Sequence, residues 1–491
     1  MSTSEDLHPS PPIPIAIADA SLPVDGGLSG LGLVMSLAGA LFLVLAVGAG
    51  AMMVFSLLLA SGNLRGAGTV VLLALAVLTT TIMRSWAHRA AGQRLLYDGP
   101  GTPRAALRRY FVFSAVQTVL IVVALGSQGT PGKILGVLVV GLASWPVALA
   151  IALASARFQA LLDQRTIPQG EDKGFEGAAI LMVVLGLTGL LFGAVMAIGT
   201  LREIRPILDG APLLGLGLIA IVAMMVVRSW LHLRAGLRGV REAHCDRAAE
   251  AVAGYSNFAV LAGAIICGLL FLMMLGATRG RMAGDGLFIG LITLGFLMWA
   301  LTAWPLLVRR FFGERQFADL LLDSQATHTR ARDRGLTSLG WFLFGQAVLS
   351  LSLALPTLLT GPLDPDGYRR ASDPISQLAL AFQAGGTSPW WSIGTAALQL
   401  LASWQLIRMR PNHQRLVTLW AAATALVAIY IHYPVLTTMT RGAVEYALGG
   451  GAALAGNLSF MAVAISLVTP IATFFLVNRK QRELPTAVLH R

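Results

Sequence analysis

The chain has 491 residues, of which 56% are hydrophobic and 12% charged, with a formal net charge of +12. A soluble domain carries roughly 25% charged residues, so a water-soluble fold this apolar would lack the polar surface to cover itself. Lipid-facing helices need no such cover. The positive charge sits in short segments between apolar runs, where it orients helices against a membrane; this sets aside the nucleic-acid reading that +12 would otherwise invite.

Arginine outnumbers lysine 33 to 3, the usage expected of a GC-rich bacterial genome, and the expected location is the bacterial inner membrane. Met1 to about Gly30 holds Glu5, Asp6, Asp19 and Asp25, several prolines and no Lys or Arg. A secretory leader needs a basic start and an early apolar run, so residues 1–30 read as a disordered cytoplasmic tail. Apolar runs long enough to span a bilayer, about 20 residues, follow at 31–59, 67–86, 108–126, 134–156, 178–200, 211–230, 254–277, 286–308, 336–359, 390–407, 415–435 and 455–477. None has an Asp or Glu in its central part. The fold class is therefore an all-α polytopic membrane protein of about twelve helices.

If every run spans, 27 of the 36 Lys and Arg fall on one side, in clusters such as Arg84–Arg109, Arg228–Arg247, Arg309–Arg334 and Arg479–Arg491. The positive-inside rule makes that side cytoplasmic and places both termini there. Residues 481–491 form a second cytoplasmic tail. Cys245 lies in a polar loop and Cys267 in an apolar run, so they are not expected to pair.

The chain also resembles itself. The second run ends Arg84-Ser85-Trp86, the sixth ends Arg228-Ser229-Trp230, and the tenth carries Ala402-Ser403-Trp404; the first two continue as SWAHRAAG and SWLHLRAG. Ser144-Trp145-Pro146, Ala303-Trp304-Pro305 and Thr469-Pro470 mark the fourth, eighth and twelfth runs. Three four-helix repeats, 31–165, 177–325 and 336–480, account for these spacings. An even number of spans per repeat gives all three one orientation, with any relating axis along the membrane normal.

Trp86, Trp230 and Trp404 are expected as interfacial anchors, because amphipathic Trp favours that depth. Pro146, Pro305 and Pro470 each remove a backbone donor; they are expected kinks, and hinge positions if the protein gates. Small residues such as Gly186, Gly189, Gly263 and Gly268 permit close helix approach. Polar residues inside the runs are Gln117, Asn257, Gln346, Gln399, His432 and Asn457, either interhelical bonds or the lining of a path. The third repeat departs most from the pattern, so Trp390, Gln399, His432 and Asn457 form the expected substrate or partner surface. Asp364-Pro365-Asp366-Gly367 begins like a calcium loop but lacks its later ligands. No phosphate loop, HExxH, GxSxG or paired carboxylate is present, so no catalytic residue, metal or cofactor is assigned.

Two functions remain. One is a passive or weakly coupled transporter or channel, with three parallel repeats around an axis. The other is a membrane scaffold or assembly subunit whose basic cytoplasmic loops hold another protein or anionic headgroups. A membrane enzyme ranks third. The topology has a direct test: a cysteine placed at Gly361 or Gly442 should react with an impermeant reagent from outside, and one at Ala331 should not. The reverse pattern would reject it.

Overall fold

The computed structural model describes residues 27–59, 68–97, 101–127, 132–163, 174–241, 245–277, 284–313, 335–360, 389–447 and 467–480. The described chain is helical throughout. In order, the helices are α1 (Leu28–Leu59), α2 (Gly68–Leu96), α3 (Pro103–Gly126), α4 (Gly132–Leu153), the short α5 (Ala156–Leu162) and α6 (Phe175–Gly210). They continue as α7 (Pro212–Arg241), α8 (Cys245–Ala277), α9 (Gly284–Phe312), α10 (Leu336–Thr360), α11 (Pro389–Ile407), α12 (His413–Ala447) and α13 (467–480).

Eight of the described helices, α1 to α4 and α6 to α9, are long and apolar enough to cross a membrane, and Leu336–Ser352 within α10 is a shorter apolar helix. They coincide with the first eight expected spans. The four later runs fall on α10 to α13, while the loop with Asp364, Asp366 and Asp373, together with Asn457, lies outside the described residues.

These sequences form helices because a backbone in lipid must bond to itself, and long Leu, Ile, Val and Ala runs allow it without interruption. Where α3 begins, Thr102 accepts from the Ala105 N–H at 3.3 Å and Pro103 occupies the first turn, where a missing N–H costs nothing. The surface is apolar: Leu72, Val119, Ile151, Leu213 and Leu426 are exposed, as suits contact with lipid tails. Several helices overrun their apolar runs. α2 continues ten residues past Trp86 and α7 eleven past Trp230, whereas α11 stops three residues after Trp404.

Three helices, α1, α6 and α10, share a head. Each is preceded by a glycine in the left-handed region, Gly27 (φ 94°), Gly174 (φ 86°) and Gly335 (φ 73°), which only a residue without Cβ adopts freely. The heads touch one another. A Cβ on Gly30 would fall 2.6 Å from Thr337 Oγ1, one on Gly177 would fall 2.4 Å from Ser338 Oγ and 2.9 Å from Leu33, and one on Gly335 would fall 2.8 Å from the Gly177 nitrogen. Trp341, fully buried, donates its indole N–H to the Gly27 carbonyl at 2.9 Å.

Each head helix also crosses its successor closely. A Cβ on Gly92 would stand 2.3 Å from the Ser36 nitrogen, and one on Gly236 would stand 2.7 Å from the Val183 nitrogen. Both glycines close the octamers SWAHRAAG and SWLHLRAG. Without a hydrophobic driving force between helices in lipid, this close backbone approach is what holds the pair together.

Three seams join the head helices to distant parts of the chain. α9 lies on α1, where the Trp299 indole donates to the Val44 carbonyl at 2.8 Å. α4 lies on α10, where Trp145 meets Phe344 edge-on at 6.3 Å. α13 lies on α6, where Lys480 donates to Glu176 and to the Val240 carbonyl at 3.2 Å. Lys480 is fully buried. Glu176 occupies the first turn of α6, where the helix dipole favours an anion. Removing one partner of a buried ion pair strands the other charge. Lys480→Met should therefore cost about 3–5 kcal/mol in unfolding of the detergent-solubilised protein. Adding Glu176→Leu should recover most of that loss, and equal losses in both variants would refute the pairing.

Candidate functional site

A proline inside a helix leaves the carbonyl four residues earlier without its donor. For Pro146 that carbonyl belongs to Leu142, and for Pro305 to Leu301. Both are taken by an arginine from a neighbouring helix. Arg84 Nη2 donates to the Leu142 carbonyl at 3.1 Å, and Arg228 Nη2 donates to the Leu301 carbonyl at 2.5 Å. The Arg-Ser-Trp and Trp-Pro signatures are thus two halves of one contact. In α11 the matching position is Ala402, and the carbonyl four residues before Pro470 belongs to Ser466, outside the described residues.

Around each arginine stands a matching set of rings. His88 stacks on Tyr110 with centroids 4.6 Å apart and 19° between planes; His232 stacks on Tyr255 at 4.6 Å and 10°. In the second set Trp304 Nε1 donates to His232 Nε2 at 3.2 Å. In the first set that bond is absent: His88 Nε2 and Trp145 Nε1 are buried without a hydrogen-bond partner, while the Tyr110 hydroxyl faces Arg84 and Ser114. The first set has instead a polar relay, in which Arg84 Nη1 donates to Gln117 Oε1 at 2.8 Å and Gln117 Nε2 donates to Thr81 Oγ1 at 2.6 Å.

The other polar residues inside the spans that can be described bond across chain-adjacent helices. Gln399 Nε2, buried on α11, donates to the Leu343 carbonyl and to Gln346 Oε1 on α10, each at 3.1 Å. Asn257 on α8 accepts from Arg309 on α9 at 2.6 Å. Trp390 is 67% exposed at the start of α11, about 13 Å along the helix axis from Gln399, and Gln399 points to α10. The structure does not bring these two together. His432 lies on α12, and Asn457 is outside the described residues.

The expected anchors differ from one another. Trp86 and Trp230 are 47% and 52% exposed. Trp404 packs instead against Trp341, Phe344 and Phe158, with the Arg408 guanidinium 4.9 Å above its ring. Pro146, Pro305 and Pro470 are all buried. Among the described residues no group of three His, Cys, Asp or Glu side chains could hold a metal ion.

Sequence reasoning placed Arg84 and Arg228 among the orienting charges and missed their bonds to the proline-freed carbonyls. A signal was available: Arg-Ser-Trp and Trp-Pro occur together at 84–86 with 145–146 and at 228–230 with 304–305, and both change together at 402–404 and 469–470. Comparison with family models, with curated proteins and with solved structures finds no match to this chain.

The arginine–proline contact makes a measurable coupling. Arg228→Met should destabilise the protein by about 1.5–3 kcal/mol, the range for a hydrogen bond from a charged donor. In a Pro305→Ala background residue 305 regains its N–H, the Leu301 carbonyl regains a helical donor, and the cost of Arg228→Met should fall. A double-mutant cycle reads this directly; strictly additive effects would refute it.

Proposed function

We propose that this chain is a multi-pass scaffold of the bacterial inner membrane. In this reading it has twelve spans in three four-helix units of one orientation and both termini in the cytoplasm. The units stand around a common axis lined by α1, α6 and α10. The last helix of each unit packs on the first helix of another: α4 on α10, α9 on α1 and α13 on α6. The recurring features support the repeat: the left-handed glycine before each head, the close crossing of α1 with α2 and α6 with α7, and the paired arginine, proline and ring sets.

The observation that carries scaffold over transport is the contact of the three heads. Around an axis the central route is the natural path for a solute, and here the heads meet there with glycine against Thr337, Ser338 and Gly177. Gln117, Gln346 and Gln399 hold neighbouring helices together rather than converging on that axis. Function then lies at the surface that carries the charge excess. Exposed Arg104, Arg108 and Arg109 on α3, Arg234 on α7 and Arg309 and Arg310 on α9 form the expected docking face for a partner protein or anionic headgroups. Trp390, with Trp391 beside it, offers a second, apolar contact on the opposite side.

The test is purification from native membranes in mild detergent together with reconstitution of the pure chain. A stoichiometric partner should co-purify, be released by high salt, and be lost in the Arg108→Glu/Arg109→Glu variant, while proteoliposomes of the pure chain stay tight to ions and small solutes. Solute flux through the pure chain, with no salt-sensitive partner, would reject the scaffold in favour of a transporter.

A further inference from the structure

One pair of charges on α3 has no counterpart in the protein. Arg104, in the first turn, pairs with Asp163 at 2.6 Å and also donates to Gln159. Arg108 and Arg109, a turn further on, are exposed and have no hydrogen bond or ion pair among the described residues. No Asp or Glu occurs in the described parts of α1 to α4. α8 offers the comparison. Tyr110 and Tyr255 each stack on the histidine of their octamer, and at the two positions before Tyr255 α8 has Ala253 and Gly254 where α3 has the arginines. The arginine pair therefore serves nothing that the two ring sets share.

An apolar stripe continues from the pair along the same helix. Val112, Val116, Val119 and Val123 are 52%, 43%, 61% and 52% exposed. At about 100° per residue, all four valines fall within the arc between Arg108 and Arg109. From Val112 to Val123 the stripe is about 16 Å long, which is about half of the 30 Å hydrocarbon core, or one leaflet. The arginines stand at the interface: Tyr110 stacks on His88, two residues from Trp86, whose exposed ring marks that level. On α8 Asn257 takes the place of Val112 and bonds to Arg309, so the arginine-topped valine stripe is particular to α3 in this comparison.

An acyl chain lying on the valines brings its headgroup phosphate between two guanidiniums, each able to hold phosphate oxygens through two parallel N–H bonds. Two unpaired cations repel the ammonium end of a zwitterionic lipid and favour a headgroup of net negative charge. An acidic protein segment would meet the arginines but would leave the valine stripe, at acyl-chain depth, unexplained. We propose that Arg108, Arg109 and the valine stripe of α3 hold one phospholipid of net negative charge, on the side of the membrane that carries the three heads. The inference deepens the scaffold reading, on which it rests for the exposed charged face, by naming what these two arginines hold. A partner that depends on them then docks on the bound headgroup.

The experiment is native mass spectrometry of the pure full chain in an uncharged detergent, titrated with phosphatidylglycerol or with phosphatidylcholine of the same acyl chains. The expected result is one phosphatidylglycerol per chain, bound at least tenfold more tightly than phosphatidylcholine. Arg108→Gln/Arg109→Gln should erase that preference. Arg234→Gln/Arg310→Gln, which removes the same charge elsewhere on the same side, should keep it. Equal affinity for the two lipids would overturn the proposal. So would an equal loss in both arginine variants, which is diffuse charge, or displacement by glycerol phosphate at matching concentration, which is a site for free phosphate. The two readings fail separately. A salt-released partner that needs Arg108 and Arg109, with no lipid preference in the pure chain, overturns the lipid and keeps the scaffold. Solute flux through a chain that keeps the preference overturns the scaffold and keeps the lipid.

Discussion

Inside a bilayer no water is at hand to take up a stray backbone carbonyl, so each proline in a spanning helix creates a demand that another part of the protein must meet. Arg84 and Arg228 meet it for Leu142 and Leu301. Much else around these two contacts follows. The arginine has to sit on the face of its helix that looks towards the proline helix. Beside each arginine stands a stacked His–Tyr pair, and in the second set the Trp preceding the proline bonds to the His. The proline and the cation are mutually dependent, which is why the two signatures travel together along the chain.

A second constraint acts at the heads. Three helices can meet at close range only if small residues face one another, and Gly30, Gly177 and Gly335 provide this where α1, α6 and α10 converge. The preceding left-handed glycines turn the chain sharply into each helix. The three hydrophobic clusters do not follow the chain. Leu31 and Met35 of α1 cluster with Trp341 and Phe344 of α10, Leu33 and Leu37 of α1 with Val308 and Phe312 of α9, and Val183 of α6 with Leu476 of α13. Cohesion therefore lies at the seams as much as within any run of consecutive helices.

Much of the coarse fold was legible because length and apolarity determine it. The eight helices able to cross a membrane coincide with the first eight apolar runs. Their ends were less legible: α2 and α7 stay helical through Arg89, Arg94, Arg234 and Arg238, where hydropathy ends but helix propensity does not. The glycines of the heads were invisible among 53 glycines, since the left-handed conformation is a property of the turn and not of composition. The arginine contacts were hidden for a different reason. Charge counting treats every arginine as a marker of sidedness, and whether one turns inward depends on a carbonyl some 60 to 70 residues away. The expected surface of Trp390, Gln399, His432 and Asn457 was argued from the third repeat's departure from the pattern, which carries no information on direction; Gln399 bonds to Gln346 on the neighbouring helix.

The seam between α6 and α13 has a consequence for biosynthesis. Glu176 enters the membrane region early, and the cation that neutralises it, Lys480, is made about 300 residues later. At bacterial elongation rates of roughly 5–20 residues per second, the carboxylate waits on the order of tens of seconds for its counter-ion. During that interval the helices already made cannot close around it without burying a lone charge. Closure of α13 on α6 thus waits for the end of synthesis, and a chain cut short before Lys480 leaves Glu176 without this cation.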